Sequence, residues 1–269
     1  MLSGATPCTW NAPGGKTVDT IKFRILGPID ALLHGDAIQL GGTKSKTVLA
    51  ALLMAEGRVV TVARLGYLLW NDRPPKTCDA QVYTYISRLR KSLGGQVSIT
   101  RQGHGYAMSV GDAGCDWKDF ERLSRMGRDA LAERRFRIAA KHLSDALSLF
   151  RGNALTDGTE HLVSEESASF EEARMAALQG RIEAYLALGI HADLVPELLR
   201  MVTRYPFHER VRAQLMLALH RCGRQSEAIA VYHEGRRLLA EELGVDPSQV
   251  LADVFQGILT GRPELRPAA

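Results

Sequence analysis

An apolar stripe at helical spacing is the strongest structural signal in this sequence. Four apolar residues recur at steps of four, three and four within residues 77–93, namely Val82, Ile86, Leu89 and Leu93. This spacing predicts an amphipathic helix that buries one face, capped by Thr77 or Asp79 and ended by Gly94-Gly95. Taken alone, it fits an ordinary surface helix with solvated charges. The other positions include Gln81, Thr84, Tyr85, Arg88, Arg90 and Lys91.

The segment after this helix predicts a β-hairpin. Residues 97–101 and 106–110 read as two short strands, and a glycine turn, Gln102-Gly103-His104-Gly105, lies between them. A helix followed by a hairpin with a basic tip is how a winged helix-turn-helix contacts DNA. The helix fits the major groove, and the hairpin tip reaches the backbone or the minor groove. The pair of elements therefore favours a DNA-binding helix.

The residues before this helix complete a small domain. Thr61 is expected to cap one helix, and Gly57 is expected to end the helix before it. The predicted order along the domain is sheet, three helices and hairpin. The elements predicted before residue 77 are strands at 20–29, 31–33 and 37–40 and helices at 44–56 and 62–70.

Positive charge is concentrated in the N-terminal part of the chain. Residues 1–113 contain 13 Lys and Arg against 7 Asp and Glu, a net charge of +6, whereas all 269 residues together carry +4. Such an excess is expected of a domain that contacts nucleic-acid phosphates.

Other features of the composition argue against several classes of protein. The four cysteines form no Cys-x-x-Cys pair, which favours reduced thiols in a cytoplasm over a disulfide framework or a zinc site. No apolar run approaches the roughly 20 residues of a membrane helix, so we expect no membrane association. We expect residues 1–19, which begin with a Gly-, Pro- and Thr-rich stretch, to be disordered and residues 262–269 to form a tail.

No catalytic or cofactor motif emerges from the sequence. The segment Gly42–Thr47 lacks the Gly-Lys pair that a phosphate-binding loop requires. A helix start that brings Lys44 and Lys46 beside DNA phosphates explains it better. The eight histidines form no His-Glu-x-x-His motif, and Gly-x-Ser-x-Gly is absent. We therefore expect a protein that is not an enzyme and that has no cofactor or metal ion.

From Asp116 onward the pattern becomes helical. Gly189 and Gly223 are turn glycines 34 residues apart, each between two apolar-striped helices. This is the period of tetratricopeptide repeats, which usually contact other proteins. The predicted fold is mainly α with a small β part, comprising an N-terminal winged helix-turn-helix and a C-terminal all-α tetratricopeptide-like helical domain. Helices are predicted at 116–133, 136–150, 167–188, 194–205, 207–221, 225–243 and 247–259, with a polar, mobile loop at 151–164.

Alternative functions stay open at this point. The helical part could make the chain a tetratricopeptide-like interaction scaffold whose basic front domain is incidental. It could also bind an effector that gates DNA affinity, although the sequence offers no convergent polar pocket. Cys78 lies at a helix start, where a thiol can have a lowered pKa and act as a redox switch. Packing of a small side chain is the simpler explanation for this cysteine.

Three groups of motifs extend over about residues 20–261. The first is Phe23-Arg24-Ile25-Leu26-Gly27-Pro28. The second is Leu69-Trp70-Asn71-Asp72-Arg73-Pro74-Pro75, followed by Tyr85–Leu93 and Gly105-Tyr106. The third comprises Leu149–Gly152, Arg210–Leu219, Gly223–Gln225 and Glu242–Pro247. Together these motifs resemble the SARP family, the Streptomyces antibiotic regulatory proteins.

The resemblance implies an OmpR-type winged helix at 20–112 and a bacterial transcriptional activation domain at 116–261. Proteins similar to these activate secondary-metabolite (antibiotic) biosynthetic gene clusters. They bind double-stranded DNA at direct repeats near the −35 region, as homodimers or side-by-side pairs. They also recruit RNA polymerase, through its sigma factor and core subunits. A cytoplasmic, nucleoid-associated protein is implied.

The resemblance also implies roles for individual residues. By analogy with response-regulator winged helices, Arg88 would read a base. Gln81 and Thr84 would lie toward bases, whereas the phosphates would be contacted by Tyr85, Arg90 and Lys91. Arg101 and Gln102 would form the tip of the wing. A loop facing RNA polymerase would consist of Trp70, Asn71, Asp72, Arg73, Pro74 and Pro75.

Three residues depart from the family pattern. Phe150 stands where tryptophan is usual and Met108 where leucine is common, and both changes should preserve packing. Gly180 places a helix-weakening residue inside a predicted helix, at a cost of about 1 kcal/mol relative to alanine. The sequence gives no reason for this glycine.

Overall fold

Residues 20–262 are described by the structure, a computed structural model. The predicted disordered segment 1–19 and residues 263–269 of the predicted tail lie outside this range. The chain divides into two units. The first contains the chain up to Asp116 together with Leu155–Ser164, and the second contains Trp117–Ala154 and the chain from Glu165 onward.

The first unit has the predicted order of sheet, three helices and hairpin. The helix at 62–70 has the predicted bounds, and its cap is the predicted one: Thr61 Oγ1 accepts a hydrogen bond from the Arg64 backbone N–H at 3.1 Å. In chain order the elements are β1 (Ile21–Arg24), β2 (Asp30–Leu33), β3 (Asp36–Ala37), α1 (Thr43–Met54), β4 (Val60–Thr61), α2 (Val62–Trp70), α3 (Cys78–Leu93), β5 (Ser98–Gln102), β6 (Gly105–Ser109) and β7 (Gly114–Cys115).

The strands of this unit form two small sheets. One has the order β3-β2-β1-β7, in which β1 and β2 are antiparallel and Phe23 pairs with Ala31. The other has the order β4-β6-β5. The alternation along β1 decides its burial, because Ile21 and Phe23 are buried whereas Lys22 is exposed.

Three predicted boundaries in this unit are wrong by a few residues. Strand β1 ends at Arg24, whereas the sequence predicted residues 20–29. Helix α1 ends at Met54 and not at Glu56, because Glu56 and Gly57 have positive φ angles of 50° and 84°. The chain therefore leaves the helix before the glycine. Strand β3 consists of Asp36–Ala37 alone, whereas the sequence predicted residues 37–40.

Residues 151–164 are not the polar loop that the sequence predicted. The chain is helical from Glu160, and the side chains of Leu155 and Leu162 are fully buried. The Leu155 backbone N–H also donates to the Ile25 carbonyl oxygen at 3.0 Å. Apolar burial and backbone pairing of this kind explain why Leu155–Ser164 belongs to the first unit.

The rest of the described chain is helical, and the predicted fold class is confirmed. The turn glycines Gly189 and Gly223, which define the 34-residue repeat, have positive φ angles of 82° and 75°. Pro196 lies in the first turn of its helix, where a proline is tolerated. In chain order the helices are α4 (Asp116–Ala132), α5 (Phe136–Leu147), α6 (Glu160–Ala187), α7 (Val195–Arg204), α8 (Glu209–Arg221), α9 (Gln225–Leu243) and α10 (Gln249–Thr260).

Two glycines allow close packing of helices α4, α5 and α6. A Cβ atom at Gly180 would lie 3.1 Å from side-chain carbons of Leu131 and Leu143, and one at Gly127 would lie 2.5 Å from Leu143 Cγ. The glycine in α6 therefore has a packing reason that the sequence did not show. Met126 of α4 lies away from this packing and is 40% exposed.

Candidate nucleic-acid interface

Helix α3 has the buried and exposed faces that the sequence predicted. The four residues of the apolar stripe are all buried. On the opposite face, Thr84, Ser87, Arg88 and Lys91 are exposed. Because the stripe fixes the rotation of the helix in the core, these four side chains form a defined polar and basic surface.

Arg88 and Lys91 are cations without an acidic partner. Within residues 20–262, neither side chain forms a hydrogen bond or an ion pair. A guanidinium group offers several N–H donors in a fixed fork, which matches two acceptors on a guanine edge, whereas an ammonium group acts as a point charge. This pair of residues can therefore combine base reading with phosphate contact.

Arg90 is engaged with the protein itself. Its Nε and Nη2 atoms donate to the Ile99 carbonyl oxygen on β5 at 2.9 and 2.5 Å, and the residue is half-buried. The sequence assigned Arg90 to a phosphate. The structure shows that its guanidinium links α3 to the hairpin.

The hairpin presents the predicted basic tip. Strands β5 and β6 pair in antiparallel register down to Gln102 opposite Gly105, and Gly103 in the turn has a φ of 56°. Arg101 and Gln102 are exposed. In the part of the chain that the structure describes, the side chain of Arg101 makes no hydrogen bond or ion pair. Its charge is therefore available to a phosphate.

Gly105 is required by the sheet that holds the hairpin. Strand β4 pairs with β6, and Thr61 lies opposite Gly105. A Cβ atom at Gly105 would collide with the Val60 carbonyl oxygen. The absence of a side chain lets the backbones approach, and the hairpin is thereby fixed to the start of α2.

The two lysines at the start of α1 have different surroundings. Lys44 Nζ lies 4.6 Å from the centroid of the Trp70 ring, which in turn lies 6.5 Å from the Tyr85 ring. Lys46 forms an ion pair with Asp157. Lys44 thus joins an aromatic cluster beside α3, whereas the charge of Lys46 is already neutralised within the first unit.

Two polar residues of α3 use their side chains within the helix. The Gln81 amide nitrogen donates to Thr77 Oγ1 at 3.0 Å, and the Thr84 hydroxyl donates to the Ala80 carbonyl oxygen at 2.8 Å. Neither Thr77 nor Asp79 caps the start of the helix with its side chain. The Thr77 hydroxyl accepts the hydrogen bond from Gln81 instead.

The loop that the resemblance assigned to RNA polymerase begins at the last residue of α2 and ends before α3. Asn71 has a positive φ of 56° where α2 ends. The loop borders an open groove of about 730 Å³, which also has Tyr67 and His104 in its lining. In the loop, Asp72, Arg73 and Pro74 are exposed, and Trp70, Asn71 and Pro75 are half-buried.

The lowered pKa considered for Cys78 is wrong. Burial raises the pKa of this thiol, and the neighbouring Asp79 carboxylate raises it further. The sulfur atom packs against Gly66, where a Cβ atom would lie 2.9 Å away. A thiol that stays protonated is a poor nucleophile, so packing of a small side chain explains this residue better than a redox switch does.

Tyr83 is a candidate contact that the sequence analysis missed. This residue of α3 lies outside the apolar stripe and is 56% exposed. A large aromatic side chain at a non-stripe position of a basic helix was the signal that could have identified it. Aromatic rings can pack on sugars and bases in addition to donating a hydroxyl hydrogen bond.

No cluster of three or more histidine, cysteine or acidic residues that could hold a metal ion occurs between residues 20 and 262. Among the helices in the same range, none has the length and apolar character to cross a membrane.

A winged helix-turn-helix with an exposed basic helix, followed by stacked helix pairs, defines the class of bacterial DNA-binding transcriptional regulators. Family models match both parts. One, described as transcriptional regulatory protein, C terminal, matches residues 35–108, and the other, described as bacterial transcriptional activator domain, matches residues 115–259. The chain belongs to the SARP family of transcriptional regulators.

Individual relatives support this assignment. The regulatory protein AfsR of Streptomyces griseus is 37% identical over 253 residues, which cover 94% of this chain and 26% of AfsR. The chain thus spans about a quarter of that relative. The regulatory protein DnrI of Streptomyces peucetius is 34% identical over 254 residues, which cover 90% of this chain and 93% of DnrI.

A solved structure is also similar. It is that of Mycobacterium tuberculosis EmbR in complex with a low affinity phosphopeptide, at a TM-score of 0.86 and 31% identity. The match covers 90% of this chain and 66% of that chain.

Proposed function

We propose that this protein is a sequence-specific activator of a secondary-metabolite (antibiotic) biosynthetic gene cluster. The observation that carries the proposal is the exposed face of α3, where Arg88 and Lys91 have no acidic partner among the described residues. Uncompensated cations on a groove-sized helix favour binding to phosphates and base edges. The length match to DnrI adds support, because that regulator is covered almost entirely.

In this proposal the free and the engaged residues have different roles. Arg88 reads a base, and Lys91 contacts a phosphate. Arg101 and Gln102, at the tip of the hairpin, reach the neighbouring backbone or minor groove. Arg90 acts indirectly, because it holds the hairpin to α3.

Other residues of the first unit have supporting roles. Lys44 approaches a phosphate from the start of α1, next to Tyr85. Gln81 and Thr84 contact bases through the groups that their local hydrogen bonds leave available. These are the amide oxygen and second N–H of Gln81 and the acceptor lone pairs of the Thr84 hydroxyl. Lys46 has a structural role and does not contact DNA, because its charge is paired with Asp157.

Partners follow from the same proposal. The protein binds direct repeats near the −35 region in the nucleoid as a homodimer or as side-by-side copies. It then recruits RNA polymerase, through its sigma factor and core subunits. The exposed loop residues Asp72, Arg73 and Pro74 provide a surface of mixed charge for that contact.

A footprinting experiment tests the proposal. The full chain is titrated against promoter DNA from its own gene cluster at two salt concentrations. We expect protection of repeated sites spaced by about 10–11 bp, one turn of DNA, beside a −35 element. Uniform binding that salt abolishes, without a footprint, would favour the interaction-scaffold function instead.

A further inference from the structure

The second unit contains an open pocket between α6 and α7 with a volume of about 380 Å³. Three arginines line it, one from α6 and two from α7. Three of the other lining residues are apolar or aromatic. The residues are Arg174, Arg200 and Arg204, together with Leu178, Met201 and Tyr205.

The two arginines of α7 form one wall. Arg200 and Arg204 are one helical turn apart, and both are exposed. Within the described range 20–262, the Arg200 side chain has no hydrogen bond or ion pair. The Arg204 guanidinium carbon lies 5.3 Å from the centroid of the Tyr205 ring. One guanidinium is therefore uncommitted, and the other is oriented by an aromatic face.

The arginine of α6 is held more firmly. The Arg174 guanidinium carbon lies 4.9 Å from the Phe150 ring centroid, and its Nη1 lies 3.5 Å from Glu171 Oε1. These contacts restrict the side chain, so part of the ordering cost of binding is already met before a ligand arrives.

The acidic groups nearby cancel only part of the positive charge, because Glu171 offsets Arg174 and leaves the charges of Arg200 and Arg204. Glu197, which also lines the pocket, forms an ion pair with Arg181. Glu171 accepts a hydrogen bond from the Tyr205 hydroxyl at 3.3 Å. Burial, followed by the Glu171 charge, raises the pKa of Tyr205, so this hydroxyl remains a donor at neutral pH.

We propose that this pocket binds a small organic phosphate monoester. Three guanidinium groups match the oxygens of a phosphate dianion, and their forks can bind it in bidentate fashion. Leu178 and the buried Met201 form an apolar floor for a short hydrocarbon or aromatic part. The volume lies within the range of small-molecule sites. This site is independent of the DNA-binding proposal.

Calorimetric titration of the full chain with phenyl phosphate tests this site in the absence of DNA. We expect saturable binding with one site per chain. The double variant Arg200→Gln/Arg204→Gln should weaken it at least about tenfold, because the phosphate loses charge-assisted hydrogen bonds from two guanidinium groups. Arg128→Gln, an exposed arginine of α4 outside the pocket, is the matched control and should leave the affinity unchanged.

Several outcomes would overturn the assignment. One is the absence of saturable phenyl phosphate binding. Another is that the double variant and Arg128→Gln lower the affinity for phenyl phosphate equally. Inorganic phosphate should bind more weakly than phenyl phosphate, and equal affinity would contradict the apolar floor. A hexaglutamate peptide that binds where phenyl phosphate does not would reassign the surface to an acidic protein partner. Circular dichroism of the variants checks that the exposed substitutions leave the fold intact.

Discussion

The two units of this protein both carry basic residues on exposed helix faces, but they differ in what surrounds the charges. In the second unit many of these cations pair with a carboxylate about one turn away, as Arg224 does with Glu227 at 2.6 Å. On α3 and the hairpin of the first unit, Arg88, Lys91 and Arg101 have no such partner among residues 20–262. The absence of a paired carboxylate, more than the presence of a cation, therefore indicates a surface for an anionic partner.

The first unit also contains both engaged and free cations. Arg90 lies two residues from Arg88 on α3, yet its guanidinium is held by the Ile99 carbonyl oxygen. Lys46 lies two residues from Lys44 on α1, yet it is paired with Asp157. Engaged cations should therefore affect stability when they are replaced, and free cations should affect DNA binding.

The largest effect should come from the most engaged arginine of the second unit. Arg212 is 3% exposed and donates to the carbonyl oxygens of Val231 and Pro206 at 3.1 and 3.2 Å. Arg212→Leu leaves both carbonyls without their charged donor. We expect the free energy of unfolding to fall by roughly 3 kcal/mol in urea denaturation. Arg210 lies on the same helix as Arg212 and forms an exposed ion pair with Glu183 of α6. Arg210→Leu should lower the free energy of unfolding by less than about 1 kcal/mol. Equal losses for the two variants would contradict the contrast.

Replacing Arg88 should give the largest effect on DNA. Arg88→Ala should reduce the ratio of target to random-DNA affinity by 10- to 100-fold, in line with about 1–3 kcal/mol for a bidentate guanine contact. Fluorescence anisotropy with both DNAs measures this ratio. Arg237→Ala, which removes an exposed arginine paired with Glu241, is the control and should leave the ratio unchanged. An unaltered ratio for Arg88→Ala would rule out its base-reading role.

Arg90 should behave as an engaged residue although it belongs to the DNA-binding helix. Arg90→Ala should lower the free energy of unfolding by about 1.5 kcal/mol, because the Ile99 carbonyl loses a charged donor. DNA affinity should fall as well, through loosening of the hairpin. Arg88→Ala is the internal control, since it should change stability by less than about 0.5 kcal/mol. If Arg90→Ala weakened DNA binding without changing stability, Arg90 would contact a phosphate instead of holding the hairpin.

Lys91 should give the smallest effect. Lys91→Ala should weaken target and random DNA by a similar, few-fold factor and reduce the slope of log affinity against log salt by about one unit. Affinities measured at four salt concentrations give this slope. Lys141→Ala, a lysine paired with Asp145 in α5, should leave the slope as it is. A change of sequence preference in Lys91→Ala would show that it reads bases.

Local features of the fold were predictable from the sequence because they depend on neighbouring residues. The stripe of α3, the Thr61 cap and the turn glycines Gly189 and Gly223 each follow from spacing within a few turns of chain. The exposed face of α3 follows from the same periodicity, which puts Arg88 and Lys91 opposite the apolar stripe, and the roles of these two residues follow from the family resemblance.

The partners of the site residues were not predictable, because they are distant in sequence. Nothing in the local pattern connects Lys46 with Asp157, which lies 111 residues further on. The bond from Arg90 to the Ile99 carbonyl oxygen depends on how the hairpin folds back. The inclusion of Leu155–Ser164 in the first unit likewise depends on tertiary burial.

The salt dependence of DNA binding by two matched triple variants shows whether unpaired cations mark the DNA-binding surface. One variant, Arg88→Gln/Lys91→Gln/Arg101→Gln, removes three free cations. The other, Arg224→Gln/Arg237→Gln/Lys141→Gln, removes three paired cations. We expect the slope of log affinity against log salt to fall by about two units in the first variant, because Lys91 and Arg101 each lose a phosphate contact whereas Arg88 reads a base. The slope should stay at the wild-type value in the second variant. Equal slopes for the two variants would contradict this expectation, because cation pairing would then carry no information about where DNA binds.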